Sequence, residues 1–208
     1  MTIGQQEIVC LLGPSGAGKT TLLNMLIGTE EADTGTIHRS TDRIGYVFQE
    51  DRLLPWLTLF ENIRLVDDTR PDEQIYRCLR NVSLNGYENM KPRQMSGGMR
   101  QRGAIARALF YGGHLLFLDE PFKSLDEKLR YDMLHLVRRL REQENLSVLF
   151  VTHDMDEALC VADRVLILSG QPAGISGTYD LRPYRHDGTI DEADEFRLKR
   201  TLRAALYA

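Results

Sequence analysis

The stretch Gly13-Pro14-Ser15-Gly16-Ala17-Gly18-Lys19-Thr20 lies between an apolar run, Ile8 to Leu12, and a second run of helical character, Thr21 to Ile27. Its spacing is that of a phosphate-binding loop, G-x-x-x-x-G-K-[ST], and the flanks predict the strand before and the helix after that the motif requires. Glycines let the backbone wrap a polyphosphate with its N–H groups turned inward. A helix opening at Lys19 adds unpaired donors and the positive end of its dipole. Lys19 is then placed to reach the β- and γ-phosphates, and the Thr20 hydroxyl to hold Mg²⁺. Kinases, GTPases and transport ATPases all use such a loop, so the loop alone leaves the reaction open.

Outward from the loop, Gly28 is suited to end the helix, and Asp33-Thr34-Gly35 to turn the chain into short strands around Thr36–His38 and Ile44–Phe48, the second delivering Gln49 to its end. From Leu53 to about residue 111 the pattern is helical with no strand of its own. Asp72 to Leu84 carries Ile75, Leu79 and Val82, and a helix opening at Ser96 carries Ile105, Ala108 and Leu109. Strand character returns at His114–Leu118, Ser147–Val151 and Arg164–Leu168, continuous apolar runs of the kind buried in parallel sheets. Between them lie a long helix from Asp126 and a short one from Asp156 to Ala162. After Gly170 the chain is rich in turns until a last helix over Asp191–Tyr207, with Phe196, Leu198, Leu202 and Leu206 as its apolar stripe. Strands alternating with helices around a phosphate loop predict an α/β fold with a mostly parallel central sheet. Residues 1–52 and 112–208 read as its nucleotide-binding core, and residues 53–111 as an inserted helical lobe.

The 208 residues suffice for one ordinary domain, and a net charge of −4 excludes a globally basic nucleic-acid-binding surface. Cys10, Cys78 and Cys160 are few, odd in number and far apart, which reads as small apolar residues in a reducing compartment. No run of 18 uncharged apolar residues occurs and the N-terminus lacks a signal-peptide pattern, so the expected compartment is the cytoplasm and any membrane role must come through a partner. The adjacent arginines Arg138, Arg139 and Arg141 read as a solvated helix face.

Two carboxylates, Asp119 and Glu120, follow the buried run Leu115–Leu118 and precede Pro121. Such a pair belongs at the carboxyl end of a strand, where open α/β sheets bind their ligands. Successive strand residues face opposite sides, and Pro121 is expected to hold Glu120 extended. One carboxylate can therefore serve the metal and the other a water. Asp119 is assigned to Mg²⁺ and Glu120 to the general base, a role worth about 10²- to 10⁴-fold in rate.

These residues, taken in order, resemble the ATPase subunits of ABC transporters over nearly the whole chain. Gly13 to Thr20 matches the Walker A loop, Gln49 the Q-loop, Ser96-Gly97-Gly98 the family signature, Leu115 to Glu120 the Walker B strand, Ser124-Leu125-Asp126 the D-loop and His153 the H-loop. The resemblance implies a RecA-like P-loop NTPase core with a small antiparallel β part and an inserted α-helical lobe carrying the signature. It implies ATP and Mg²⁺ as cofactors, with ATP held by Gly13, Pro14, Ser15, Gly16, Ala17, Gly18, Lys19, Thr20 and Thr21. Ser96, Gly97 and Gly98 would complete that set from a second copy of the chain, and Asp126 of the D-loop is counted among the residues that bind the nucleotide. By the same resemblance Gln49 joins Thr20 and Asp119 at the metal, and Glu120, His153, Lys19 and Gln49 act in hydrolysis. On its own, His153 after a strand is more often structural, and Gln49 an ordinary surface amide.

Two signature positions depart from the family pattern: Met95 stands where Leu is usual and Met99 where Gln is usual. Members also carry a longer segment before the Walker A strand, with an aromatic residue that stacks on adenine, whereas residues 1–12 contain none. The expectation is that adenine is held otherwise, that binding is weakened, or that the chain is truncated, with the first strand of the antiparallel part missing. Leu53-Leu54-Pro55-Trp56-Leu57 reads equally as core or as the lining of a groove for a membrane subunit.

The function implied is an ATP-hydrolysing subunit, peripheral on the inner face of the membrane, that energises import of a small solute through separate permease subunits. A homodimer with ATP sandwiched between its copies, and indirectly a solute-binding protein, are the partners expected. Gln49 to Trp56 and Glu120 to Asp126 are most similar to the nitrate, sulfonate and taurine importers. The alternative is a soluble ABC ATPase acting on nucleic acid or ribosomes. Such proteins usually carry fused ATPase domains or a coiled coil between the motifs, whereas only 47 positions separate Gln49 from Ser96 here. An exporter half would be fused to its membrane domain.

Overall fold

The computed structural model describes residues 1–39, 41–170 and 172–206. Its main sheet has six strands in the order β2-β3-β4-β1-β5-β6. These are β1 (Ile8–Leu12), β2 (Gly45–Val47), β3 (Leu115–Asp119), β4 (Ser147–Thr152), β5 (Arg164–Ser169) and β6 (Gly174–Asp180). All neighbours run parallel except β5 and β6. A two-residue pair, β7 (Arg185–His186) and β8 (Thr189–Ile190), stands apart. The helices are α1 (Lys19–Ile27), α2 (Leu59–Arg64), α3 (Asp72–Asn81), α4 (Gly97–Gly112), α5 (Glu127–Gln143), α6 (Met155–Val161) and α7 (Glu192–Leu206).

The two-residue period of β1 divides the core. Ile8, Cys10 and Leu12 face the larger cluster, which takes in the apolar stripes of α4 to α7, while Val9 and Leu11 face Leu23 on α1. Both faces are thus covered, which is why β1 is buried throughout and reads as an unbroken apolar run. The carboxyl ends of β1, β2, β3 and β4 then open on one edge of the sheet, beside the start of α1.

Residues 53–114 contain no strand. Leu59, Ile63, Ile75, Leu79 and Met95 pack together there, and the buried Asn62 amide pins the loop before α2. Its Oδ1 accepts from the Leu54 N–H at 2.7 Å, and its Nδ2 donates to the carbonyls of Leu54 and Thr58 at 3.1 and 2.9 Å. Pinning this loop splits the apolar run: Leu53 is buried while Trp56 stands 64% exposed. Helix α4 meets β2 backbone to backbone. A Cβ added at Gly45 would overlap the Ala108 carbonyl, and one added at Gly112 would overlap the Gly45 nitrogen.

Several expectations are corrected. Thr36–His38 is not a strand; the segment is exposed and no described strand offers it a ladder, without which an extended segment gains no hydrogen bonds. The region after Gly170 contains β6, which an exposed, glycine-containing pattern concealed. Arg138 and Arg139 donate to the Cys160 and Asn81 carbonyls and Arg141 to Asp163, so they tie α5 to its neighbours. On α7, Leu198, Leu202 and Leu206 are buried, but Phe196, two residues off that stripe, is 69% exposed. Tyr207, expected in the same helix, lies outside the described residues.

Candidate active site

The phosphate loop runs from β1 into α1. Gly16 and Gly18 take positive φ values of 82° and 80°, and nothing lies within 4 Å of where a Cβ would stand on either. The loop's concave side is therefore backbone, free of side chains at the turns. Gly13 is held against β5, where a Cβ would sit 2.6 Å from the Leu168 carbonyl oxygen. A cleft of ≈ 480 Å³ opens between Pro14–Gly18 and Ser169, Gly170 and Ala173. Helix α1 has no side-chain cap and no acidic residue in its own first turn, so its leading N–H groups are left for an anion at the cleft. Ser15 and Thr21 lie exposed on the same loop and turn of helix.

Lys19 is buried and donates to the Gly13 and Pro14 carbonyls, both at 2.9 Å. Its Nζ also lies 3.4 Å from Glu120 Oε1. The other carboxylate oxygen of Glu120 is 3.0 Å from Lys123 Nζ and 3.2 Å from His153 Nδ1. Burial alone pushes the Glu120 carboxyl up, but Lys123, His153 and Lys19 outweigh it and hold the group below its ordinary value of 4.5. Glu120 is thus a carboxylate at neutral pH, 13% exposed, as a base for a confined water must be.

The expectation that Pro121 keeps Glu120 extended is wrong. Its N–H donates to the Val151 carbonyl at 2.9 Å, so the ladder continues through residue 120, but φ is 42°, in the left-handed region. The sheet register ends there, and the chain must swing into the turn at Pro121–Leu125. The left-handed conformation makes that swing without the right-handed helical geometry that the proline ring disfavours. Such a conformation costs about 1–3 kcal/mol and occurs where the surroundings over-determine it, here Lys19, Lys123 and His153 around one side chain and the Val151 carbonyl on the backbone N–H.

Asp119 points elsewhere. Its Oδ2 accepts from Thr20 Oγ1 at 3.1 Å and from the Tyr46 hydroxyl at 3.2 Å. Burial, then the Asp119 charge, push the Tyr46 hydroxyl well above the ordinary phenol range, so it remains a donor. A carboxylate and an aliphatic hydroxyl are hard oxygen donors suited to Mg²⁺, and among the described residues no group of three or more His, Cys, Asp or Glu could hold an ion unaided. That donor set fits a cation shared with phosphates and water.

His153 follows β4 and is fixed from both sides. The Thr152 hydroxyl donates to Glu157 at 2.6 Å and accepts from the Asp154 N–H at 3.0 Å, while Arg130 on α5 holds Asp154 at 3.0 Å. Gln49 leaves the end of β2, next to β3, and is exposed. Ser96, Gly97 and Gly98 are not brought to the loop: the Ser96 hydroxyl accepts from the Met99 N–H at 3.2 Å as the cap of α4, and Gly98 is packed on Leu129. Asp126 likewise caps α5, accepting from the Leu129 N–H at 3.0 Å. Sequence reasoning missed Lys123, which the i,i+3 spacing from Glu120 could have flagged, and Tyr46, for which no sequence signal exists. It also missed α2, announced by a capping box from Thr58 to Glu61.

The profile of the family described as "ABC transporter" matches residues 1–123. An aliphatic sulfonates import ATP-binding protein of Pseudomonas syringae pv. tomato is 44% identical over 171 residues, covering 82% of this chain and 74% of that one. A protein of the same description from Xanthomonas axonopodis pv. citri is 39% identical, covering 97% and 86%. Among solved structures, an ATP-binding cassette in a dimeric post-hydrolysis state with ADP and Pi is 30% identical at a TM-score of 0.75, with 88% of each chain covered. An inward-facing metal-chelate-type transporter, 24% identical with a TM-score of 0.80 over all of this chain and 81% of that one, shares the fold.

Proposed function

Since the chain belongs to the ABC transporter family, we propose that it is the ATP-hydrolysing subunit of an importer for aliphatic sulfonates or a closely related small anion. The observation that carries the hydrolytic part is the convergence of Lys19, Lys123 and His153 on Glu120, one residue beyond the Asp119–Thr20 pair. Lys19 and the N–H groups of residues 16–20 bind the phosphates. Thr20 and Asp119, with Gln49 at the neighbouring strand end, would hold Mg²⁺. When bound there, Mg²⁺ offsets negative charge on the phosphate oxygens. Glu120 accepts a proton from the attacking water, and His153, fixed by Thr152 and Asp154, orients that water and the terminal phosphate.

Ser96 caps α4, and among the described residues no side-chain hydrogen bond or ion pair joins Ser96–Gly98 to their own phosphate loop, which supports a reading in which they serve a second copy. The helical stretch 53–111 acts as the lobe that meets the permease, and the exposed Trp56, on a loop held by Asn62, is its foremost apolar group. The chain then sits peripherally on the cytoplasmic face; among the described residues no helix is long and apolar enough to cross a membrane. Co-expression with a sulfonate permease tests this. The chain should fractionate with membranes and hydrolyse ATP in proportion to solute-loaded binding protein. A chain that never leaves the soluble fraction and whose ATPase rises with nucleic acid would contradict it.

A further inference from the structure

The Tyr46 hydroxyl and the Thr20 hydroxyl converge on the same oxygen of Asp119, at 3.2 and 3.1 Å. The sheet makes this possible. Tyr46 pairs with Phe117 in the parallel register of β2 and β3, and Asp119, two residues on, shares the face of Phe117. The tyrosine ring therefore runs along β3 and ends at the carboxylate.

The ring is itself held. It packs on Phe48, the residue just past the end of β2, at a centroid distance of 4.4 Å, and the Arg52 guanidinium lies 3.9 Å over the Phe48 ring. The next segment is clamped to α4: Arg107 donates to the Asp51 and Arg52 carbonyls at 2.9 and 2.8 Å, and Arg100 to the Asp51 carboxylate at 3.0 Å.

We propose that Tyr46 is a positioning residue for the metal: its hydroxyl fixes the rotation of the Asp119 carboxylate, so that Oδ1, which has no hydrogen-bond partner among the described residues, is presented to Mg²⁺ beside Thr20. This rests on the reading of Asp119 as the metal-bearing carboxylate. Partners that orient a ligand in this way change metal affinity by about 10- to 100-fold when removed. With Phe at position 46 the ring and its contact with Phe48 are kept, and only the hydrogen bond to Asp119 is lost.

The test is Mn²⁺ binding to the full chain with ADP, followed by the Mn²⁺ EPR signal, and ADP binding in EDTA. Tyr46→Phe should weaken Mn²⁺ by about ten-fold and leave ADP affinity in EDTA unchanged. In an Asp119→Asn background, adding Tyr46→Phe should cost nothing further. If Asp119→Asn weakens Mn²⁺ and Tyr46→Phe does not, the proposal fails while the site reading stands. If neither changes Mn²⁺ binding, the assignment of Asp119 to the metal fails and takes the proposal with it. A Tyr46→Phe loss of equal size in EDTA, or one that persists in the Asp119→Asn background, would assign the hydroxyl a purely structural role and overturn the proposal.

Discussion

Lys19 Nζ lies 3.4 Å from Glu120 Oε1, so the phosphate-binding cation and the proposed base belong to one charge cluster. Glu120→Gln keeps the size of the side chain and removes its capacity to accept a proton. ATP binding should survive, turnover should fall by about 10²- to 10⁴-fold, and an ATP-held dimer should accumulate. Steady-state hydrolysis and size-exclusion chromatography with ATP measure both. Wild-type turnover would remove Glu120 from the role of base.

Asp126 caps α5, and the resemblance also implies a nucleotide-linked role for it. The two separate cleanly. Asp126→Asn keeps a good cap and should leave the melting temperature unchanged, whereas Asp126→Ala should cost about 1 kcal/mol. ATPase lost in the Asn variant at unchanged stability would belong to the dimer site; full activity would reduce Asp126 to a cap.

Glu7 and Arg164 form a two-pronged pair with both bonds at 2.8 Å, next to the start of β1. The Arg164 hydrogen bond is the largest influence on Glu7, and its net effect with the Gly4 N–H holds the carboxyl below its ordinary value of 4.5 despite burial. A depressed carboxyl stabilises the fold at pH above its unfolded value, and that contribution disappears as pH falls through the folded value. Glu7→Gln should therefore lose about 1.5–3 kcal/mol at pH 7. The gap to wild type should close below pH 4.5. Urea titrations at the two pH values read this directly, and a gap that is independent of pH would exclude the ion pair as its source.

Gly112→Ala should be poorly tolerated, because the new methyl group meets backbone on β2 that no rotamer change can move. The expected loss is about 3 kcal/mol. For a chain of this size that lowers the melting temperature by about 6–12 °C. Gly86→Ala is no control for space alone, since Gly86 has φ 87° and any side chain there is strained; Gly97, helical and open, is the better comparison for folding.

The phosphate loop, the buried strands and the order of site residues were legible because each is written locally, in spacing or in unbroken apolar runs. Elements carried by hydrogen bonds without an apolar pattern were not: β6 is mostly exposed and attached along β5. The conformation of Glu120 defied the rule for residues before proline because its ladder bond to Val151 and its contacts with Lys19 and His153, all far off in sequence, lie outside what that local rule records. Contacts such as Tyr46 with Asp119 depend on strand register, which no single segment records. The apolar run at Leu53–Leu57 could be divided into buried and exposed residues only once Asn62 was seen to hold the loop.

The glycine contact between α4 and β2 also sets the mechanics of the molecule. With no side chains interposed, α4 rests on the sheet like a beam on a fulcrum, unable to compress toward it. Ser96 lies sixteen positions before Gly112, the far end of this support. That is a lever of about 24 Å, so a tilt of about 5° at Gly112 swings Ser96 through about 2 Å, close to the difference between a formed and a broken hydrogen bond. A rotation passed from the sheet to Gly112 would therefore reach Ser96 only if the Asp51 and Leu129 contacts that hold the flank of α4 moved with it.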